Sequence, residues 1–237
     1  MKLNDVRSTT ILLVGSGRLA SHLKHWNSLL SKPNHLIIWD RSQSEQTLHE
    51  QIAQAELVWL AISDSSLISF YEKHFLSSEL PVVHFSGALF DPRLASAHPM
   101  MSFPQELLAD SVYENIGFAI QGADHLQQLM PGFTNQFFQI SAADKPFYHA
   151  LCVIAGNFPQ FLWNEVNSCL PDLKIPESIY RTYISQVLTN FLVLKEKSLT
   201  GPLVRQDDIT LQKNENALAS HPKLQNIYHA FTKEFRQ

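Results

Sequence analysis

The stretch that decides the fold is ILLVGSGRLA, residues 11–20, in which four apolar residues run directly into two glycines and a helix-forming segment. Such an apolar run is typical of a strand buried on both faces of a parallel sheet. Gly15, Gly17 and Ala20 form the pattern GxGxxA, which provides a tight turn, a close backbone approach and close helix packing. The pattern predicts a dinucleotide pyrophosphate bound at the start of the helix. The alternative is a strand-to-helix turn without a ligand.

The residues after the second strand bear on the choice of dinucleotide. Leu36–Trp39 is an apolar run that ends in Asp40, at the spacing where a dinucleotide-binding unit carries its ribose-binding acid. An acid here favours NAD, whereas Arg41 and Ser42 suit the 2′-phosphate of NADP. An arginine can also lie over the adenine face. We therefore predict NADP, with NAD as the alternative.

Polar residues follow the next two predicted strands, at the sheet edge where open α/β sheets bind ligands. Ser63 and Asp64 follow the strand Leu57–Ile62, and Ser86 follows the strand Pro81–Phe85. Ser63 or Asp64 could also cap the helix that comes next. The predicted cofactor-binding residues are Gly15, Ser16, Gly17, Arg18, Leu19, Asp40, Arg41, Ser42, Ile62, Ser63, Asp64 and Ser86.

Strand and helix patterns alternate over roughly the first 140 residues and then give way to helical patterns alone. The alternation predicts an α/β fold with a doubly wound parallel sheet of the Rossmann type. We place this domain at residues 1–141 and an all-helical substrate and dimerisation domain at residues 142–237. His98 lies between them in sequence, next to a proline that fixes the backbone, and is a candidate for the cleft or a structural histidine.

The helix predicted from about Ser141 to Cys169 carries a polar stripe on an apolar background. At about 100° per residue, His149, Asn157, Gln160 and Asn164 fall within an arc of about 80°. Buried polar groups need partners, so the stripe faces a ligand, another domain or a second subunit, unless it faces solvent. We predict that His149 donates or accepts a proton, that Asn157 orients the substrate and that His98 is the reserve.

Two further residues are candidates for substrate binding. Gln160 belongs to the polar stripe, and Arg205 lies in a Gly-Pro loop, where it could clamp a carboxylate or phosphate. Asp207 or Asp208, which follow in the same loop, could simply cap the next helix.

Composition narrows the class of protein. The 237 residues are 45% hydrophobic and 17% charged with a net charge of −4, which gives no electrostatic footprint for nucleic acid or an anionic membrane. No apolar run is long enough to span a bilayer, and the first ten residues lack a leader pattern. Cys152 and Cys169 form no CxxC and we find no metal-binding motif, so we expect a cytoplasmic protein without a metal.

Several segments together resemble a known bacterial family: GSGRLA, AISDSS, VHFSGAL, AHPMMSFP, YHALCVIAGNF and LTGPLVRQDDIT. This family joins a Rossmann NAD(P)-binding half to a helical domain of unknown function, 2520. The chain is more distantly similar to pyrroline-5-carboxylate reductase and to the 6-phosphogluconate and 3-hydroxyisobutyrate dehydrogenases. The resemblance implies a 6-phosphogluconate-dehydrogenase-like helical domain, a homodimer formed through it, and oxidoreductase activity.

The chain departs from the β-hydroxyacid dehydrogenases at one position. Those enzymes carry a catalytic lysine four residues before an asparagine on this helix, and here Val153 stands four residues before Asn157. Lys145 lies near the helix start, three turns from Asn157, and is no substitute. Our first hypothesis is an NAD(P)-dependent oxidoreductase acting on a small, anionic carbonyl, imine or hydroxy compound. The alternatives are a non-catalytic NAD(P)-binding sensor or partner protein, and a protein that binds another phosphate ligand, such as a nucleotide-sugar.

Overall fold

The chain folds into one mixed β-sheet flanked by helices, with a helical region after it in sequence. The structure is a computed structural model that describes residues 8–236, so most of the stretch on which we expected no leader lies outside the described residues. The described strands are β1 (Thr10–Val14), β2 (His35–Trp39), β3 (Leu57–Leu60), β4 (Val82–His84), β5 (Ala95–Pro99), β6 (Phe118–Gln121) and β7 (Phe137–Gln139). The described α-helices are α1 (Arg18–Ser28), α2 (Glu45–Ile52), α3 (Asp64–His74), α4 (Asp110–Tyr113), α5 (Leu126–Leu129), α6 (Lys145–Cys152), α7 (Phe158–Cys169), α8 (Glu177–Leu194), α9 (Asp208–Ala217) and α10 (Pro222–Phe235).

The order of the strands places a ligand-binding crevice at the end of β1. The strands follow the order β2-β1-β3-β4-β5-β6-β7, and the first five in sequence run parallel. Since β1 lies between β2 and β3, the chain winds from it first toward one edge of the sheet and then toward the other. Open α/β sheets bind ligands at such a switch point, beyond the carboxyl ends of the strands. The Rossmann-type doubly wound sheet predicted from the sequence is confirmed.

The last two strands add one antiparallel pairing to the otherwise parallel sheet. β6 pairs antiparallel with β5, with Pro99 opposite Phe118, and β7 runs parallel to β6. The connection between β5 and β6 is closed at its base by a hydrogen bond from the Met100 amide to the Gly117 carbonyl, 2.8 Å long. β6 therefore lies directly beside β5 and runs in the opposite direction.

The central strands β1 and β3 are buried on both faces of the sheet, which explains their uninterrupted apolar residues. Leu13 and Trp59 pack on one face with residues of α1 and α5, and Leu12 and Val58 pack on the other face with residues of α2 and α3. These four side chains are fully buried. The two cores hold the carboxyl ends of β1 and β3 in a fixed position at the crevice.

The long helix predicted between residues 141 and 169 is interrupted. A π-helical turn, Val153–Asn157, separates α6 from α7. By internal contacts the chain divides into two compact units at this point, the first ending at Asn157 and the second beginning at Phe158. The domain boundary that we placed after residue 141 stays a prediction, and it marks the place where strands end and helices continue.

The second unit is helical throughout its described residues, as expected. Only Leu170 and Leu211 are buried among its residues up to 236. The 18-residue α8 contains no buried residue, although it is rich in apolar side chains such as Ile179 and Val193. Of the described helices, none has the length and apolar character needed to cross a membrane.

Candidate functional site

The turn after β1 has a geometry that requires glycine. Gly15 has a φ of +129°, and a Cβ added to it would lie 2.4 Å from the carbonyl oxygen of Ala61. Gly17 precedes α1, has extended backbone and provides no side-chain hydrogen bond to the helix. A Cβ on Gly17 would meet no protein atom within 4 Å. The first amides of α1 therefore lack a side-chain cap, next to open space.

A cavity of about 770 Å³ lies at this turn, beyond the ends of β1, β2 and β3. Its volume is in the range of cofactor sites. The structure brings together seven of the predicted cofactor-binding residues in its lining, namely Gly15, Ser16, Gly17, Asp40, Arg41, Ile62 and Ser63.

Asp40 is held in position by a residue that we expected to contact the cofactor. Its Oδ1 accepts hydrogen bonds from the Ser42 hydroxyl (2.6 Å) and the Ser42 amide (2.9 Å). These bonds hold the pKa of Asp40 below its usual 3.8, so the carboxylate is ionised at neutral pH. Ser42 does not line the cavity and contacts Asp40 instead. Arg18 and Leu19 also lie outside the lining, and Leu19 packs against the core.

The sequence reasoning missed the contribution of α3 to this cavity. Ser66, Ser69, Phe70, Lys73 and His74 line it. Their spacing of three, one, three and one residues puts them on a single face of the helix, and this pattern could have identified them. Lys73 forms an ion pair with Glu45, which also lines the cavity. Burial keeps the pKa of His74 below its usual 6.5.

A second cavity, of about 350 Å³, contains all three predicted catalytic residues. It lies within the first unit and is formed by the loop after β5, the last turn of α6 and the π-helical turn. Its lining consists of His98, Met100, Met101, Ser102, His149, Cys152, Val153, Ala155, Gly156 and Asn157.

Two histidine rings in this cavity contact the loop that follows β4. A Cβ added to Gly87 would lie 2.5 Å from His149 Cδ2 and 2.9 Å from His98 Nε2. The rings of His98 and His149 cross nearly at right angles, with their centres 5.9 Å apart. Gly87 is therefore a glycine because both rings approach its backbone. The three residues form a unit that we call the histidine–glycine contact.

The surroundings of His98 favour its neutral form. Burial, followed by the charges of His149 and Lys145, lowers the pKa of His98 to about 4. Its Nδ1 lies 2.8 Å from the Tyr148 hydroxyl. Burial and the neighbouring Cys152 raise the pKa of Tyr148, so the phenol keeps its proton at neutral pH. His98 thus has one nitrogen engaged by Tyr148 and presents the other, Nε2, toward Gly87.

Asp64 and Ser86, which we expected at the cofactor, contact each other. The Ser86 hydroxyl donates to Asp64 Oδ2 at 2.6 Å and accepts the amide of Leu89 at 2.9 Å. Neither residue lines the large cavity. Together they fix the loop that carries Gly87.

Lys145, which the sequence does not predict in the site, is a buried lysine. Lys145, the first residue of α6, is 1% exposed, and its Nζ donates a 2.6 Å hydrogen bond to Ser96 Oγ. Burial lowers its pKa to about 8, against the opposing effect of the Asp64 charge. The sequence signal for this residue is a single cation in an otherwise apolar helical turn. Among the described residues, no group of three or more His, Cys, Asp or Glu side chains is placed to hold a metal ion.

Residues 117–235, half of the chain, match the family described as domain of unknown function DUF2520. The chain belongs to this family. The DUF2520 region begins at the start of β6 and includes Lys145, His149, Asn157, Gln160 and Arg205. The large cavity and His98 come before it in sequence. No protein of curated function matches the chain by sequence.

Solved structures share the fold over nearly the whole chain. A Bacteroides fragilis protein provisionally named an NADP oxidoreductase (BF3122) has a TM-score of 0.77 at 19% identity, covering 97% of this chain and 98% of its own. The 1-pyrroline-5-carboxylate reductase of Streptococcus pyogenes has a TM-score of 0.57 at 16% identity, covering 97% and 98%. A reductive aminase from Aspergillus terreus in complex with NADPH4, cyclohexanone and allyl amine has a TM-score of 0.60 at 14% identity, covering 97% and 95%, and its complex with NADPH and ethyl levulinate has a TM-score of 0.58. At these identities the likeness is one of fold.

The remaining predicted residues of the DUF2520 region lie in the second unit. Gln160 is an exposed residue of α7, and Arg205 is exposed in the loop before α9. Asp207 caps α9, because its carboxylate accepts the Thr210 amide at 3.0 Å, which confirms one of the two roles considered for this loop. The substrate-binding roles of Gln160 and Arg205 stay predictions.

Proposed function

We propose that this DUF2520 protein is an NAD(P)-dependent oxidoreductase that acts on a small, anionic carbonyl, imine or hydroxy compound. The observation that carries the proposal is the pairing of two features in the first unit. A glycine-built cavity lies at the switch point of the sheet, and a pair of histidines contacts the loop after β4 at the same edge. The first feature suits a dinucleotide, and the second suits proton transfer beside it.

The residues of the large cavity fit a dinucleotide. The uncapped amides at the start of α1 and the open space at Gly17 suit a pyrophosphate, which the helix dipole also favours. The ionised Asp40 suits the ribose hydroxyls. Gly15, Ser16 and Gly17 would therefore hold the phosphates, and Asp40 and Arg41 would hold the adenosine end.

The proposed chemistry divides between the cofactor and the chain. A bound nicotinamide dinucleotide supplies or takes up a hydride. The chain supplies the proton, and we assign this role to His149, which lines the small cavity and contacts Gly87. His98, the second ring of the histidine–glycine contact, is the reserve for this role. Asn157 orients the substrate, and Gln160 and Arg205 bind its polar and anionic parts.

We favour NADP as the cofactor. Arg41 and Lys73 are both exposed cations in the lining of the large cavity, and a 2′-phosphate adds negative charge at the adenosine end. The reductive aminase with the same fold was solved with NADPH and ethyl levulinate. Asp40 is the feature that favours NAD, so both nucleotides belong in the test.

The first test is calorimetric titration of the full chain with NADPH and with NADH. We expect NADPH to bind more tightly, and Arg41→Ala to weaken NADPH at least tenfold while leaving NADH nearly unchanged. Lys24→Ala, which removes an exposed cation of α1 outside the cavity lining, is the matched control. If neither nucleotide binds, the glycine turn is structural and the oxidoreductase proposal is wrong.

The catalytic assignment is tested by turnover. His149→Asn should reduce the rate of substrate-dependent change in nicotinamide absorbance at 340 nm by 10² or more, as expected for a general acid or base. An unchanged rate would reject His149 in this role. Binding of the nucleotide without turnover on any carbonyl or imine would support the second candidate, a non-catalytic NAD(P)-binding sensor. The feature that favours a sensor is Val153, which places an apolar side chain in the small cavity.

We also propose that the chain forms a homodimer through the second unit. A unit with only Leu170 and Leu211 buried among its described residues leaves most of its apolar surface in water, which costs about 25 cal/mol for each Å². α8, with no buried residue, is the largest part of that surface. Sedimentation equilibrium should give twice the chain mass of 27.0 kDa. A monomer at micromolar concentration would contradict the proposal.

A further inference from the structure

Three neighbouring strands place His98, Ala119 and Phe138 in one row across the sheet. Ala119 of β6 stands opposite His98 of β5 on one side and opposite Phe138 of β7 on the other. Residues that stand opposite each other in a sheet point to the same face. Since alanine has the smallest side chain of the three, the row leaves space between an imidazole ring and a phenyl ring.

Tyr148 of α6 contacts both rings at the ends of this row. The centre of its ring lies 5.5 Å from that of His98, at an interplanar angle of 84°, and 5.7 Å from that of Phe138, at 77°. Edge-to-face contacts of this kind are favourable for aromatic rings. Two strands and its own helix therefore hold the phenol in position, with its hydroxyl 2.8 Å from Nδ1 of His98.

The direction of this hydrogen bond follows from the chemistry of its two partners. A phenol has a proton to donate, with an ordinary pKa of about 10, and a neutral imidazole has one basic nitrogen, with an ordinary pKa of about 6.5. Within residues 8–236 the Tyr148 hydroxyl has no other nitrogen or oxygen partner, and its other neighbour, the thiol of Cys152, is a weak acceptor. The Tyr148 hydroxyl therefore donates, and Nδ1 of His98 accepts.

The other ring nitrogen of His98 then carries the proton. A neutral imidazole has one N–H, so Nε2 is the donor when Nδ1 accepts. Nε2 has no hydrogen-bond partner in the part of the chain that the structure describes, and protein atoms do not enclose it. The ring lines the small cavity together with His149. An N–H group in this position is suited to an acceptor atom of a bound ligand.

We propose that Tyr148 is a positioning residue that fixes His98 as its Nε2–H tautomer, and that this N–H donates a hydrogen bond to the carbonyl oxygen or imine nitrogen of the substrate. The contact with the substrate rests on the oxidoreductase function proposed above, whereas the tautomer does not. His98 thereby has a role of its own, different from that of His149.

The two histidines divide the reaction at the acceptor atom. When the carbon of the C=O or C=N bond accepts a hydride from a reduced nicotinamide dinucleotide, one electron pair of that bond moves onto the oxygen or nitrogen. The Nε2–H of His98 stabilises the negative charge that develops there, and a proton from His149 completes the alcohol or amine. The dinucleotide is oxidised, and His98 keeps its proton throughout. A neutral imidazole is a sufficient donor to polarise a carbonyl in this way.

The experiment is nitrogen-15 NMR of the histidine rings in the full-length chain at pH 7, without nucleotide. His98→Gln identifies the two signals of His98, and we expect Nε2 to be the protonated nitrogen. Tyr148→Phe removes the hydroxyl and keeps the ring, so a fraction of the proton should move to Nδ1 and the two signals should approach each other. Tyr180→Phe, which removes a hydroxyl that donates to the Trp163 carbonyl in the second unit, is the matched control and should leave both signals unchanged.

The tautomer of the unmodified chain can be measured whether or not Tyr148→Phe folds. A proton on Nδ1 of His98 in that chain overturns the inference. A proton that stays wholly on Nε2 in folded Tyr148→Phe overturns the role of Tyr148, even if the chain turns over with NADPH. A proton on Nε2 that redistributes in the variant supports this role, even if no substrate is reduced.

Turnover tests the contact between His98 and the substrate. Removing a whole donor to a developing oxyanion costs about 10² to 10³ in kcat, and Tyr148→Phe leaves the donor in part of the population, so kcat should fall by about 3- to 10-fold. The KM for the nucleotide should not change. An unchanged kcat in a chain whose tautomer has redistributed overturns the contact between Nε2 and the substrate.

Discussion

Adding one methyl group at Gly87 should disable the histidine–glycine contact while leaving the dinucleotide cavity intact. In Gly87→Ala the new Cβ would lie 2.5 Å from His149 Cδ2, 2.9 Å from His98 Nε2 and 3.0 Å from His98 Cδ2. Carbon atoms in contact normally stay about 3.5–4.0 Å apart. Gly87 does not have a positive φ, so alanine adds no backbone strain and the effect is one of space.

The size of the effect follows from which ring gives way. Both rings line the small cavity, but His98 is also held by its 2.8 Å contact with Tyr148 and lies on a strand of the sheet. We therefore expect His149 to move by about 1 Å. A misplacement of that size at a reacting group costs about 10² in turnover. The free energy of unfolding should fall by only about 1 kcal/mol, at the low end for overpacking, since the cavity accepts the displaced ring.

Three measurements test this expectation together. The rate of NAD(P)H-dependent reduction at 340 nm should fall about 100-fold, the calorimetric affinity for nucleotide should change less than threefold, and the His149 ring resonances should shift. Gly117→Ala is the matched control, because its Cβ would have only an ordinary 3.8 Å contact with Gln136 and lies outside both cavities. Wild-type turnover by a folded Gly87→Ala chain would refute the placement of the reaction at the two histidines.

Three further predictions concern stability. Gly15→Ala should lower the free energy of unfolding by about 2 kcal/mol or more in urea titrations and abolish nucleotide binding, because its φ of +129° and the 2.4 Å approach to Ala61 both exclude a side chain. The unfolded chain keeps the proton of Lys145 up to about pH 10.5 and the folded chain releases it at about 8, so stability should rise by about 3 kcal/mol across that window, and this rise should be absent in Lys145→Met. His84 takes up a proton below pH 6.5 when unfolded but only near 3 when folded, so stability should fall by about 5 kcal/mol as the pH drops through that range; a flat profile would contradict its burial as a neutral ring.

The parts of the site that depend on local sequence were predictable. The glycine turn, the acid after β2 and the apolar strands follow from a few neighbouring residues, and Gly15, Gly17 and Asp40 all line the large cavity. The strands could be predicted from their apolar runs, because strands buried on both faces are apolar at every position and do not alternate with polar residues. Asp64 and Ser86 illustrate the limit, because they hydrogen-bond to each other across 22 residues of sequence and do not line the cavity.

The π-helical turn explains why the positions of the polar-stripe residues could be predicted only in part. Regular helical spacing puts His149 and Asn157 about 80° apart, and one extra residue in the turn reduces this to about 20°. Both residues line the small cavity, together with Gly156 from the turn itself. A π-helical turn has no periodic sequence signature of its own, so the spacing of apolar residues did not predict the extra residue.

Lys145 was missed for a different reason. A cation in the first turn of a helix is usually solvated, and only contacts distant in sequence could indicate otherwise. Its hydrogen-bond partner, Ser96, is 49 residues away on β5. The reversal of direction between β5 and β6 is likewise set by pairing across the sheet rather than by any local pattern. Both features depend on where strands lie in the fold, and residue spacing along the chain does not specify that.

Val153 allows one step from these observations to the chemistry of the family. It stands where the resemblance to β-hydroxyacid dehydrogenases implies a catalytic lysine, and it lines the small cavity, so an ammonium is replaced there by an apolar side chain. Of the side chains in that lining, His98 and His149 are the imidazoles, the side chains that most often act as general acids and bases. Burial, followed by the charges of His149 and Lys145, lowers the pKa of His98, and under the proposed function His149 is the proton donor. Under the proposed function, the chain has no lysine at position 153 and yet keeps a proton donor in the same cavity, because His149 lines it beside Val153.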